Sequence, residues 1–143
     1  MTALLNPYLS FRDNAREAME FYRSVFGGEL TIRTFAEFHL SEEADEQELV
    51  MHSQLETPSG FTIMASDTPK TMNYQPGSTI SVSLSGPSTD GPELRGYWGR
   101  LQEGADVTMP LNTAPWGDLF GMLTDRFGTH WMVSIGTAGN AAA

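Results

Sequence analysis

Hydrophobic and polar positions alternate over residues 4–11, LLNPYLSF, so that Leu5, Leu9 and Phe11 share one face and Asn6, Tyr8 and Ser10 the other. A period of two predicts a half-buried strand. The period changes at Asn14. Asn14-Ala-Arg-Glu17 carries the capping-box pattern, and Ala15, Ala18, Met19, Tyr22, Val25 and Phe26 follow at helical spacing. Gly27-Gly28 closes this helix, since glycine takes the left-handed conformation without a Cβ penalty. Strand-like stretches follow at 29–38, 48–56 and 61–66, with Thr57-Pro-Ser-Gly60 as a hairpin turn between the last two. Residues 67–78, which hold two Pro and one Gly, read as a linker.

The order then repeats. Thr79–Leu84 sets Ile80, Val82 and Leu84 against Thr79, Ser81 and Ser83. A Gly- and Pro-containing loop, 86–92, leads into a helix with Asp90 or a neighbour as cap and Pro92 in the first turn. Leu94, Tyr97, Trp98 and Leu101 form its apolar stripe, and Gly104 ends it. Strands are predicted at 106–111, 119–124 and 130–136, and the tail, 137–143, is expected to fray. The helices end alike, VFGGELT at 25–31 and LQEGADVT at 101–108. The expectation is an α+β domain over 1–143 made of two β-α-β-β-β modules, about 4–66 and 79–136. Its mixed sheets would form a concave cavity, with the helices on the outer face.

Composition narrows the function. A chain of 143 residues with 18 Asp+Glu against 8 Lys+Arg carries a net charge of −10, which opposes nucleic-acid binding. There is no Cys, which removes disulfides, thiolate metal sites and Cys nucleophiles. The opening residues show no signal-peptide pattern and no stretch suits a membrane span, so a soluble cytoplasmic protein is expected. Six of the acids fall in residues 37–48, EFHLSEEADEQE, without a Lys or Arg. This run reads as a solvated, mobile loop; it lacks the alternating Asp/Asn and central Gly of a calcium loop.

The succession N-P-Y-L-S-F, A-M-E-F-Y-R-S-V-F-G-G, L-V-M-H-S, W-G-D-L-F-G and D-R-F-G-T-H-W-M resembles the glyoxalase/bleomycin-resistance/dioxygenase (vicinal oxygen chelate) superfamily. Within it, the chain resembles the 3-demethylubiquinone-9 3-methyltransferase-like branch. Methyl transfer itself is not expected, because Arg12-Asp13-Asn14 stands where a glycine-rich cofactor turn would follow the first strand. The resemblance implies a homodimer, and a divalent metal held by His and Glu on strands of both modules. At those positions this chain has Asn6, Met64, Thr79 and Met132, a set of neutral oxygens and soft thioethers. The usual metal site is therefore expected to be lost, and no cofactor is expected.

Alternation also predicts the face turned away from the helices. Asn6, Tyr8, Gln54, Met64, Thr79, Ser81, His130 and Met132 fall there, rich in hydroxyls and amides that suit a wet cavity for a small polar ligand, the alternative being a plain solvent-exposed sheet. His52, mid-strand on this side, has the chemistry of a general base or hydrogen-bond partner, or is a satisfied structural histidine. Trp116 and Asp118, after Pro115, read either as a rim over the ligand or as a turn anchor. The function expected from the resemblance is binding or sequestering a small polar organic molecule without the metal. The alternative is a lyase, isomerase or dioxygenase with His52 as base or ligand.

Overall fold

The structure, a computed structural model, describes residues 3–137. It divides after Pro76 into two compact units, each a β-α-β-β-β unit. The expected fraying from 138 onward lies outside the described residues. No helix among the described residues is long and apolar enough to cross a membrane.

The first unit runs β1 (Tyr8–Phe11), α1 (Ala15–Phe26), β2 (Glu29–Thr34), a one-turn helix α2 (Phe35–Phe38), β3 (Val50–Glu56) and β4 (Thr62–Asp67). Its sheet has the order β1-β4-β3-β2, with β1 parallel to β4 and the other pairs antiparallel. α1 packs on β2, β3 and β4 and buries every residue of the expected stripe, together with Phe21. Leu55, Ile63 and Ala65 supply the sheet side of that core. Burial of each large side chain contributes roughly 1.5–3 kcal/mol.

The second unit follows the same plan: β5 (Val82–Gly86), α3 (Gly91–Leu101), β6 (Asp106–Thr113), β7 (Leu119–Thr124) and β8 (His130–Ile135), in the order β5-β8-β7-β6. Again the first strand is parallel to the last and the rest are antiparallel. Leu94, Tyr97, Trp98 and Leu101 are buried as the stripe predicts. The duplication extends to hydrogen bonds. In the β3–β4 turn Thr57 N donates to Phe61 O (3.0 Å) and Gly60 N to Thr57 O (3.0 Å). In the β7–β8 turn Asp125 N donates to Thr129 O (2.8 Å) and Gly128 N to Asp125 O (2.9 Å).

Several expected boundaries are corrected. β1 begins at Tyr8, not at residue 4, because Pro7 has no N–H for the ladder; Leu5, expected on the core face, is 99% exposed. β5 begins at Val82, not 79. Its partner β8 starts only at His130, so the register sets Thr79 and Ile80 opposite the turn before it with no strand to pair with, and Ile80 is 77% exposed. The strand expected to 38 stops at Thr34. The Thr34 hydroxyl accepts from Glu37 N (3.3 Å) and starts α2, which buries Phe35. A register shift at Arg33/Thr34 also breaks alternation in β3, so that Val50 is buried and Met51 only partly so. Asn14 occupies the N-cap of α1 but its side chain makes no capping bond.

The buried Asp67 carboxylate accepts in its place. Its Oδ1 takes the Ala15 N–H (2.9 Å) and its Oδ2 the Val50 N–H (2.9 Å), tying the start of α1 and the start of β3 to the end of β4. In the second unit Asp125 is equally buried. Its Oδ1 accepts from Phe127 N (2.8 Å) and Thr129 N (3.0 Å), and its Oδ2 from Trp131 Nε1 (2.8 Å). The acid that opens D-R-F-G-T-H-W-M is thus accounted for as structure. In W-G-D-L-F-G, the last glycine is required by packing: a Cβ on Gly121 would stand 2.8 Å from the Trp98 ring and 3.0 Å from Leu111 Cα.

Candidate functional site

The face of the first sheet opposite α1 is built from three cross-strand rows. The pairs Tyr8↔Met64, Gln54↔Met64 and Thr31↔Gln54 make a continuous row across all four strands. Two residues further along, Arg33 stands opposite His52, and Ser10 opposite Ser66. Two residues the other way, Glu29 stands opposite Glu56, and Glu56 opposite Thr62. All of these are half-buried or exposed, whereas Ser53, Leu55, Ile63 and Ala65 between them are buried. Period two assigns one set to the core and the other to the open face.

Tyr8 and His52 meet on that face. The Tyr8 hydroxyl lies 3.1 Å from His52 Nδ1, and the ring centroids are 5.7 Å apart. Tyr8 sits on β1 and His52 on β3, with β4 between them, so the phenol reaches across a strand. In one tautomer Tyr8 donates to Nδ1 and Nε2 carries the proton; in the other, Nδ1 donates to the Tyr8 oxygen and Nε2 is free to accept a proton. Either way Nδ1 is occupied and the imidazole is oriented. Gln54 and Met64 lie in the adjoining row, and Asn6, half-buried, precedes β1.

In the second unit the predicted residues separate. His130 and Met132 are half-buried on the face of β8 away from the core, with His130 Nδ1 2.9 Å from the Thr124 hydroxyl. Met132 belongs to a row that continues through Met122 to Met109 on the edge strand. Thr79 and Ser81 are exposed and precede β5, so they are not strand positions as expected. Trp116, at the β6–β7 hairpin, is 59% exposed and meets Phe120 edge-on with centroids 5.4 Å apart. The Asp118 carbonyl accepts from Ala114 N (2.7 Å) and closes that hairpin.

The metal that the fold implies does not fit these residues. Met64 and Met132 present thioethers, Asn6 a neutral amide, and Thr79 a hydroxyl outside the sheet. None is an anionic or imidazole donor of the kind a hard or borderline divalent ion needs. Among the described residues no three His, Asp or Glu side chains gather into a metal-binding group.

The acidic run is tied down, which corrects the expectation of a mobile loop. Glu46 is buried and accepts from Ser41 Oγ (2.7 Å) and Lys70 N (2.8 Å), while the Lys70 ammonium pairs with Asp45. Gln47 Nε2 donates to Ser41 O (2.7 Å) and Glu43 O (2.8 Å). The Lys70 hydrogen bond holds Asp45 below its ordinary range, and the Lys70 N–H and Ser41 hydroxyl do the same for Glu46. Asp45 in turn raises Lys70. The segment expected to be a linker supplies the cation that the run itself lacks.

Two mixed four-stranded sheets, each from a β-α-β-β-β unit with a helix packed on one face, make up the glyoxalase/bleomycin-resistance/dioxygenase fold of the vicinal oxygen chelate superfamily. The chain belongs to the family described as 3-demethylubiquinone-9 3-methyltransferase, whose model matches residues 3–134. It is similar to protein PA1353 from Pseudomonas aeruginosa: 38% identity, covering 94% of this chain and 98% of that one, with a TM-score of 0.77. It is also similar to protein YjdN of Escherichia coli, 23% identical over an alignment of 142 residues that covers 92% of this chain and 94% of the relative. A glyoxylase/bleomycin resistance protein/dioxygenase domain from Frankia sp. shares the fold at 17% identity, covering 98% of this chain and 96% of that one, with a TM-score of 0.64. The family description mentions methyl transfer, yet β1 is followed by Arg12-Asp13-Asn14, and no G-x-G occurs in the sequence.

Sequence reasoning missed Arg33, Thr31 and the two structural acids. Arg33 and Thr31 were recoverable from the alternation Glu29, Thr31, Arg33 on the second strand. Asp67 and Asp125 carried no periodic signal.

Proposed function

We propose that the protein binds a small polar organic molecule on the open face of its first sheet, without a divalent metal. The observation that carries this reading is the Tyr8–His52 pair. It presents an oriented imidazole and phenol beside Gln54, on a face that also carries hydroxyls, the Met64 thioether and the charged Arg33, Glu29 and Glu56. Such groups orient a ligand through directed hydrogen bonds. The same pair supports a second reading, an enzyme in which His52 Nε2 moves a proton. Fold likeness does not choose between them.

His52→Ala separates a ligand role from a structural one. Tyr8 is 49% exposed, so water replaces the lost imidazole, and the unfolding free energy should fall by less than about 1 kcal/mol. Thermal-shift screening of the wild type against small polar organic compounds should find stabilising ones, and the mutant should lose their effect. A large stability loss with the shifts intact would make His52 structural. Stoichiometric Zn, Mn, Ni or Fe in protein purified without chelator would favour the metalloenzyme instead. We also propose a cytoplasmic homodimer: light scattering should report about twice the chain mass of 15.7 kDa, and a strict monomer at micromolar concentration would dismiss it.

A further inference from the structure

We infer that the ligand of this face is a small organic anion, bound by its oxyacid group at the Arg33/His52/Tyr8 end with its tail directed toward Glu29 and Glu56. The inference rests on the binding reading above and adds the chemical class and the polarity of the ligand. The three registered rows carry it. Arg33 is directly opposite His52 in register, and the Tyr8 hydroxyl reaches from the adjoining row to His52 Nδ1, so a strand pair carrying a guanidinium and an imidazole, with a phenol beside the latter, marks one end. A guanidinium presents paired donors that match a carboxylate or other oxyacid. The middle row, Thr31–Gln54–Met64–Tyr8, is uncharged. At the far end Glu29 faces Glu56, and neither has an ion-pair partner among the described residues.

Like charges directly opposite on a sheet repel each other, and here they also repel any second anionic group on a ligand. Four residue steps lead from Glu29 to Arg33 along β2, roughly 13 Å of strand, the length of a short organic molecule with side chains closing on both ends. Arg33 is not free: its Nη1 lies 3.5 Å from Glu37 Oε2, with both side chains about half exposed. Exposed pairs of this kind are weak, so a ligand oxyacid displaces Glu37 readily. The net charge of −10 opposes attraction at a distance, so selection must be local and must survive moderate salt.

The test uses probes of one chain length, hexanoate, ω-aminohexanoate, adipate and hexanol, titrated into the full chain and followed by amide NMR. Hexanoate and ω-aminohexanoate should perturb Thr31, Arg33, His52 and Gln54. Adipate should bind more weakly than hexanoate, and the gap should close in the Glu29→Gln/Glu56→Gln variant. Arg33→Gln should weaken hexanoate about tenfold and leave hexanol unchanged. Hexanol binding as well as hexanoate, at the same residues and with loss in His52→Ala, would overturn the anion inference while leaving the binding reading intact. No perturbation of this face by any probe at millimolar concentration would overturn both. Adipate binding as tightly as hexanoate would overturn the assigned polarity.

Discussion

Asp67→Ala should lower the unfolding free energy by about 2–5 kcal/mol, because it strands two buried backbone donors at once. The Ala15 N–H belongs to the first turn of α1, where no intrahelical acceptor exists, and the Val50 N–H opens β3. Asp67 itself is buried, so water does not substitute for the carboxylate. Asp67→Asn keeps one acceptor oxygen but turns an amide donor toward the other N–H. It should therefore cost less than the alanine change and more than a surface substitution. Urea midpoints for wild type and both variants give the order, and unchanged m-values would confirm that the folded state is intact. A loss below about 0.5 kcal/mol for Asp67→Ala would mean that the two N–H groups find other partners. The effect on the open face should be indirect. Asp67 fixes the start of the strand that carries His52, so loosening it should blur the Tyr8–His52 geometry before the unit unfolds.

Periodicity made the two helices legible, because six residues of one stripe and four of the other announce a buried face whatever lies opposite. The repeat was legible for the same reason, through matched helix ends. Strand ends were less so. Leu5 and Ile80 continue an alternating pattern, but pairing requires a neighbour, and Pro7 and the late start of β8 at His130 remove it. A single sequence carries no record of its partner strands.

The polar face was recoverable from alternation, and His52, Gln54, Met64 and Tyr8 do share it. Their convergence with Arg33 was not recoverable, since it depends on the register of β2 against β3. The acids were hardest. Asp67 opens a stretch with the composition of a linker, and Lys70 in that stretch pairs with Asp45 and bonds Glu46 of an acidic run that looks solvated on its own. Interactions spanning 24 residues in one case and 52 in the other leave no local signature.

Asp125→Ala should be the costliest single change in the second unit, about 3–5 kcal/mol, since its carboxylate accepts from two turn amides and from the Trp131 indole. The turn matches that of the first unit, where the Thr57 hydroxyl takes the Phe61 N–H (2.9 Å) as Asp125 takes that of Thr129. What the second unit adds is the indole. Trp131 is almost fully buried, and its Nε1–H needs an acceptor there. Asp125→Asn should keep the two turn bonds on its oxygen while its amide nitrogen opposes Nε1–H, a donor facing a donor. Trp131→Phe removes that conflict together with part of the core volume. A double-mutant cycle should then show Asp125→Asn costing at least about 1 kcal/mol less in the Trp131→Phe background than in the wild type. Strict additivity of the two changes would mean that Asp125 acts on the turn alone, and the conjunction of Asp and Trp in the motif would need another explanation.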